Sequence, residues 1–381
     1  MTTLLTDEQK YDFVKRGFSR RAFGRLSALM GASAALPFYN EPALAQLSAI
    51  GRIPENAVKI NANENPLGPC PEAAEAIHSV VQKGGRYLYE ETFDFAKTLA
   101  EQSGLKPNYV DAYAGSSDPL HFAVLAFCSP TRPFVSGDPG YEAGTRAAKF
   151  INAPAIQVPL TKTYAHDVKA MAAAHATPGL IYICNPNNPT GTITPRADIE
   201  WIVANKPEGT VILLDEAYIH LSTEPYGTDL VARDKDVIIL RTFSKLYGMA
   251  GLRAGAAIGR PDLLAKLKSF RGGALPVTGM VGAHASLKVK NLVAERRKII
   301  GDIREDTLSW LAKNNYEFLP SVSNKFMLNV RRPGQEVVKA MAAKNVYIGR
   351  VWPSWPTHVR VTVGTRDEME KFKKALSEVM A

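Results

Sequence analysis

The sequence predicts an α/β protein with a mostly parallel sheet and a smaller α+β unit attached to it. Three observations carry this. Short apolar runs, mostly β-branched, recur at 134–135, 155–158, 180–184, 211–214 and 237–240. Each is bounded by turns and separated by helical patterning, as in a sheet buried on both faces. Gly115, Asn185, Asp215 and Thr242 fall at or just after predicted strand ends, where open α/β sheets hold ligands. The chain also has 381 residues, more than one small core at roughly 100–200 residues per domain.

Taken in order, the first 45 residues read as an export segment. Ser19–Arg20–Arg21 leads to Phe23, a weakly apolar run follows at 26–36, and Ala43-Leu44-Ala45 supplies small residues where a signal peptidase cuts. This resembles a twin-arginine signal, which implies passage through the twin-arginine translocase as a folded protein and a periplasmic location. The competing reading is a basic N-terminal helix of a cytoplasmic enzyme.

Residues 46–74 form an extended piece that joins the smaller domain, because NANENPLGPCP is rich in turn formers. Apolar spacing predicts helices over 72–82 and 93–103. VDAYAG at 110–115 reads as a short strand, and PLHFAVLAFC opens a helix. A large domain is expected over 75–275 and a smaller one over 276–381. The smaller one would hold a long helix at 284–313, strands in PSVSNKFMLNV and THVRVTVGT, a helix at 335–343 between them and a closing helix after Arg366.

The net charge of +9 does not mark a nucleic-acid protein, since no basic stripe interleaved with aromatics is present. It fits a solvated basic surface with mild attraction for anionic substrates. Cys70, Cys128 and Cys184 match neither metal spacing nor a disulfide framework and read as small buried apolar residues. One disulfide stays open for an exported chain. The seven histidines are dispersed, so no metal is expected.

The chemistry sits in three strings. VILLDEAYIHL delivers Asp215 from an apolar strand, with Tyr218 three residues on; RTFSKLYGMAGLRAG carries Thr242, Ser244, Lys245 and Arg253. A lysine amine can condense with an aldehyde and then act as a base. A carboxylate ending a buried strand asks for a cation. AGSSDPLHF places Gly115, Ser116 and Ser117 at a helix start, where backbone donors suit a phosphate that a guanidinium also clamps. These are the parts pyridoxal phosphate chemistry requires of a protein.

Together with NPNNPTG at 185–191, these strings resemble the class I/II pyridoxal-phosphate aminotransferases of the aspartate aminotransferase fold, and the histidinol-phosphate aminotransferases most. The resemblance covers roughly 56–381. It implies pyridoxal 5'-phosphate on Lys245, Asp215 at the pyridine nitrogen, and Tyr218 and Asn188 at the phenolic oxygen. Tyr141 would stack on the ring, and Ser116, Ser117, Thr242, Ser244 and Arg253 would hold the phosphate. Tyr87 would reach the phosphate of the other subunit of a homodimer. Asn65 would belong to the substrate loop, Arg360 would hold the α-carboxylate and Arg350 a distal phosphate. Two departures stand out. The usual Arg-Tyr-Pro is Arg86-Tyr87-Leu88, and Trp352 and Trp355 flank the Arg350 region, reading equally as an enlarged aromatic pocket or as loop packing.

The expected reaction is transamination between an amino acid, or an amino-alcohol phosphate, and a 2-oxo acid. The fold also hosts decarboxylases, lyases and oxidases, and a non-enzymatic binding protein is a third reading. A periplasmic location would fit a specialised role better than histidine synthesis.

Overall fold

The computed structural model describes residues 7–19 and 53–381. Most of the twin-arginine region, including Arg20, Arg21, the 26–36 run and Ala43–Ala45, lies outside the described residues. Just before it, the helix Asp7–Lys15 leads to Arg16, whose guanidinium donates to the carbonyls of Leu125 and Cys128 at 2.8 and 2.9 Å. Phe13 and Phe18 are buried there, edge to face at 5.4 Å.

The central sheet has seven strands. In chain order after β1 (Val58–Ile60) they are β2 (Val110–Tyr113), β3 (Phe134–Asp138), β4 (Ala155–Pro159), β5 (Leu180–Cys184), β6 (Val211–Asp215), β7 (Val237–Thr242) and β8 (Gly255–Gly259). Their spatial order is β2-β8-β7-β6-β5-β3-β4. The pairs from β7 to β4 are parallel, and β8 runs antiparallel to both β7 and β2. Every residue of β5, β6, β7 and β8 is buried, the state that continuous apolar runs require when helices cover both faces.

Strand β8 was not legible in the sequence. Its string GAAIG has no β-branched run, and small residues suit it because β7 and β2 crowd it from both sides. A β-carbon added at Gly255 would lie 2.5 Å from the backbone carbon of Gly115. The expected long helix at 284–313 is also corrected. It is two helices, Val277–Lys288 and Leu292–Lys313, separated at Asn291, whose φ of 64° is left-handed. Val289 turns extended at the end of the first helix, and Asn291, a residue type that tolerates the left-handed conformation, caps the start of the second. The first of the two packs against the helices Pro71–Val81 and Tyr89–Gln102.

The smaller part contains β9 (Glu317–Phe318), β10 (Lys325–Asn329), β11 (Val346–Ile348) and β12 (His358–Thr362). Strands β12, β10 and β9 form an antiparallel sheet, while β1 pairs in parallel with β11. The closing helix Arg366–Met380 starts with a capping box between Thr365 and Glu368. All three cysteines are free and buried. Among the described residues no helix is long and apolar enough to cross a membrane.

Candidate active site

The carboxyl ends of β5, β6 and β7 lie side by side, with Cys184 opposite Asp215 in register and Asp215 opposite Leu240. Each strand therefore delivers its last residue to one edge. A cleft opens there. Ser116, Ser117, Tyr141, Asn188, Asp215, Tyr218, Thr242, Ser244, Lys245 and Arg253 all line it. Ten of the residues singled out in the sequence are thus brought together. Tyr87, Asn65, Arg350 and Arg360 do not line it.

At its floor Asp215 is 3% exposed. One carboxylate oxygen accepts from the Tyr182 hydroxyl at 2.7 Å and the other from the Ala217 backbone at 3.0 Å. Burial pushes this carboxyl up from its usual range; the Tyr182 and Ala217 hydrogen bonds and the nearby Lys245 and Lys325 pull it back. Lys245, 8% exposed, lines the same cleft, with its ammonium 5.6 Å from the centre of the Tyr218 ring. The Tyr218 hydroxyl accepts from Asn63 at 2.9 Å.

The opposite end is built for an oxyanion. Arg253 donates to Ser244 Oγ at 3.1 Å and to the carbonyls of Ala250 and Ala114 at 2.9 and 3.0 Å. The Thr242 hydroxyl donates to Ser244 Oγ at 3.0 Å. Burial lowers the Arg253 pKa, and Asp118 opposes that fall. Gly115 has φ +89°, and a β-carbon there would lie 2.2 Å from the Arg253 guanidinium. Only glycine lets the arginine cross the start of the helix Ser117–Phe127.

The remaining predicted residues surround this core. Arg360 is fully buried and donates to Asn188 Oδ1 at 2.9 Å and to the Asn61 carbonyl at 2.7 Å. Asn188 therefore meets Arg360 as well as the cleft. Arg350 donates to both Glu142 oxygens at 2.9 and 3.0 Å. Both guanidinium groups lie over the Trp352 ring, at 4.6 Å for Arg350 and 5.5 Å for Arg360, and Trp352 donates to the Gly140 carbonyl at 2.9 Å. Trp352 packs with Leu319 and Met327, and Trp355 packs against that cluster. Trp352 thus forms packing beneath the arginines, Trp355 packs beside it, and neither lines the cleft. Asn65 donates to the Leu246 carbonyl at 2.7 Å and accepts from Leu67 at 3.1 Å, fastening its own loop. Tyr87 is 71% exposed and stacks on Tyr89 at 5.5 Å, away from the cleft of its own chain.

Sequence reasoning missed four residues at or around this site: Asn63, Glu142, Tyr182 and Lys325. Tyr182 could have been found by strand alternation, since it shares a face of β5 with Cys184.

The residues fit pyridoxal phosphate on structural grounds. A buried carboxylate and a lysine face one cleft, and hydroxyls with a guanidinium close its other end. The aminotransferase class I and II family pattern matches residues 55–376. A histidinol-phosphate aminotransferase of Moorella thermoacetica is 32% identical over 336 residues, covering 86% of both chains. An aromatic amino acid aminotransferase of Nocardia farcinica is 35% identical over 335 residues, covering 84% of this chain and 91% of that one. The crystal structure of histidinol-phosphate aminotransferase from Sinorhizobium meliloti with pyridoxal 5'-phosphate superposes with TM-score 0.78 at 25% identity, covering 92% of this chain and 99% of that one. Aspartate aminotransferase of Thermus thermophilus shares the fold, with TM-score 0.74 at 16% identity over 85% of this chain and 91% of that one. The chain belongs to the class I and II aminotransferases, with the aspartate aminotransferase fold and pyridoxal phosphate as its cofactor.

Proposed function

We propose that this aminotransferase takes its nitrogen from an amino acid with an uncharged, aromatic side chain and passes it to a 2-oxo acid. The observation that carries the donor class is the Arg350–Glu142 pair. Arg350 already holds a carboxylate, so a distal phosphate would have to displace Glu142 and meet its negative charge. A neutral ring leaves the pair intact. The similarity to an aromatic amino acid aminotransferase points the same way. A histidinol-phosphate donor is the second reading, supported by the presence of Arg350 and by relatives of that name.

Pyridoxal phosphate, when bound, supplies an aldehyde that carries the nitrogen and a ring that spreads charge from the substrate's α-carbon. The protein does the rest. Lys245 moves the proton at the α-carbon, and Asp215 keeps a proton on the ring nitrogen. Tyr218 and Asn188 would hold the cofactor's phenolic oxygen, and Tyr141 would pack against its ring. Arg253, Ser244, Thr242, Ser116 and Ser117 anchor the phosphate. Arg360, held in place by Asn188, Asn61 and Trp352, meets the α-carboxylate with a planar pair of donors.

A donor screen against 2-oxoglutarate tests this. Phenylalanine or tyrosine should exceed histidinol phosphate and aspartate in kcat/KM. Histidinol phosphate as fastest donor would replace this reading with the second.

Two further features belong to the proposal. The enzyme works as a homodimer in which Tyr87 serves the neighbouring site; the exposed Tyr87, Tyr89 and Phe93 give that surface an apolar character that partner burial would cover. The N-terminal segment directs export to the periplasm by the twin-arginine route, as its paired arginines, apolar run and Ala-Leu-Ala sequence support. Fractionation of cells with and without the translocase tests the latter. A product found only in the cytoplasm of both would refute it.

A further inference from the structure

Lys325 is a second buried ammonium behind the cleft, and the chemistry proposed above does not use it. It is fully buried and does not line the cleft. Strand β10 places its Nζ 3.1 Å from the centre of the Tyr218 ring, and Nζ donates to Ser323 Oγ at 2.9 Å. Lys245 lies over the same ring at 5.6 Å. One phenol therefore contacts two ammonium groups.

Burying a lysine's charge is costly, and the next three residues of β10, Phe326, Met327 and Leu328, are all apolar. A methionine could fill the same length of side chain without that cost. The charge, rather than the bulk, is the feature to explain. The groups around it come from several elements. Asp215 ends β6, Tyr182 and Cys184 belong to β5, and Tyr218 follows β6. Lys245 follows β7, and Arg360 sits on β12 two residues from Thr362, the cross-strand partner of Lys325. The Asp215 carboxyl and the Cys184 thiol are both raised by burial, and Lys325 opposes the rise at each.

We propose that Lys325 is a positioning residue for the reaction: its fixed positive charge on Tyr218 keeps Asp215 ionised and keeps the Lys245 amine unprotonated. This rests on the reading that Lys245 carries the cofactor. Like charges in a shared buried site disfavour one another. The ring face and the Ser323 hydroxyl favour the charge on Lys325. The proton is shed from the lysine that faces the cleft.

The test uses the full-length, cofactor-free protein. Lysines are acetylated at low conversion across roughly pH 6–11, and the rate at Lys245 is read by peptide mass mapping. In the wild type its midpoint should fall below the ordinary lysine value of about 10.4. In Lys325→Met the midpoint should rise, slowing modification about tenfold near neutral pH, which corresponds to one pH unit. Lys325→Arg should match the wild type. A wild-type midpoint at the ordinary value overturns the proposal, and decides the matter even when the methionine variant does not fold. An unchanged midpoint in a folded methionine variant overturns it as well. Failure of the parent reading is separate: it would appear as cofactor attached to another residue, whatever the Lys245 midpoint.

Discussion

The Tyr182 hydroxyl donates to the Asp215 carboxylate at 2.7 Å, and burial pushes the phenol's pKa well above its usual value. Tyr182 therefore stays protonated and remains a donor to the ionised Asp215 carboxylate. Removing it in Tyr182→Phe deletes a hydrogen bond that holds the buried carboxyl's pKa down. The acid limb of the kcat/KM profile should move to higher pH by about one unit, the scale of one charge-assisted hydrogen bond. A pH–rate profile over the acid range checks this; an unmoved limb would mean that Asp215 does not control it.

Asp215→Asn should separate stability from function. The Asp215 carboxyl is raised in the folded protein, so its ionised form destabilises the fold above that raised pKa, and the penalty fades as pH falls and the group protonates. In the cofactor-free protein the asparagine variant should melt at a higher temperature near neutral pH. That gain should shrink toward acid. Activity should fall by at least about a thousandfold, since the charge that holds the ring proton is gone. Calorimetry of the cofactor-free pair at two pH values is the check.

Glu142→Gln should change which donors are accepted. The amide cannot neutralise Arg350, so the guanidinium that now carries a carboxylate at 2.9 Å becomes available to an anion. The kcat/KM for a phosphorylated donor should rise about tenfold or more, while aromatic donors change little. Steady-state kinetics with both donor classes read the outcome, and equal effects on both would remove Glu142 from specificity.

Trp352→Leu should weaken substrate carboxylate binding without touching the cleft. The indole carries both Arg350 and Arg360 on its face and bonds to Gly140. Loss of the ring contacts and of a large buried volume should cost roughly 2–4 kcal/mol of stability. KM for the amino acid should rise more than kcat falls, because Arg360 would still be present but less well held. Chemical denaturation and the KM-against-kcat split report the two effects independently.

Much of the site was legible because its chemistry is written in short strings at strand ends. Lys245, Asp215 and Arg253 sit in such strings, and the parallel register brings the strings to one edge. What stayed hidden came from tertiary placement. Asn63 reaches Tyr218 from a loop 155 residues away in sequence, and Glu142 meets Arg350 across 208 residues. Neither residue type announces such a role. Trp352 and Trp355 were visible, but only packing could show that Trp352 supports two arginines and that neither ring lines the cleft. In the fold, β8 escaped notice because its small residues serve close approach instead of apolar bulk. The break at Asn291 escaped because apolar spacing continues on either side of it.

The central claim is that Lys245 is the residue that carries the cofactor. The direct measurement is borohydride reduction of the purified holoenzyme followed by peptide mass mapping. The account predicts one pyridoxyl adduct, on Lys245. An adduct on Lys325 or any other lysine, or none at all, would contradict it.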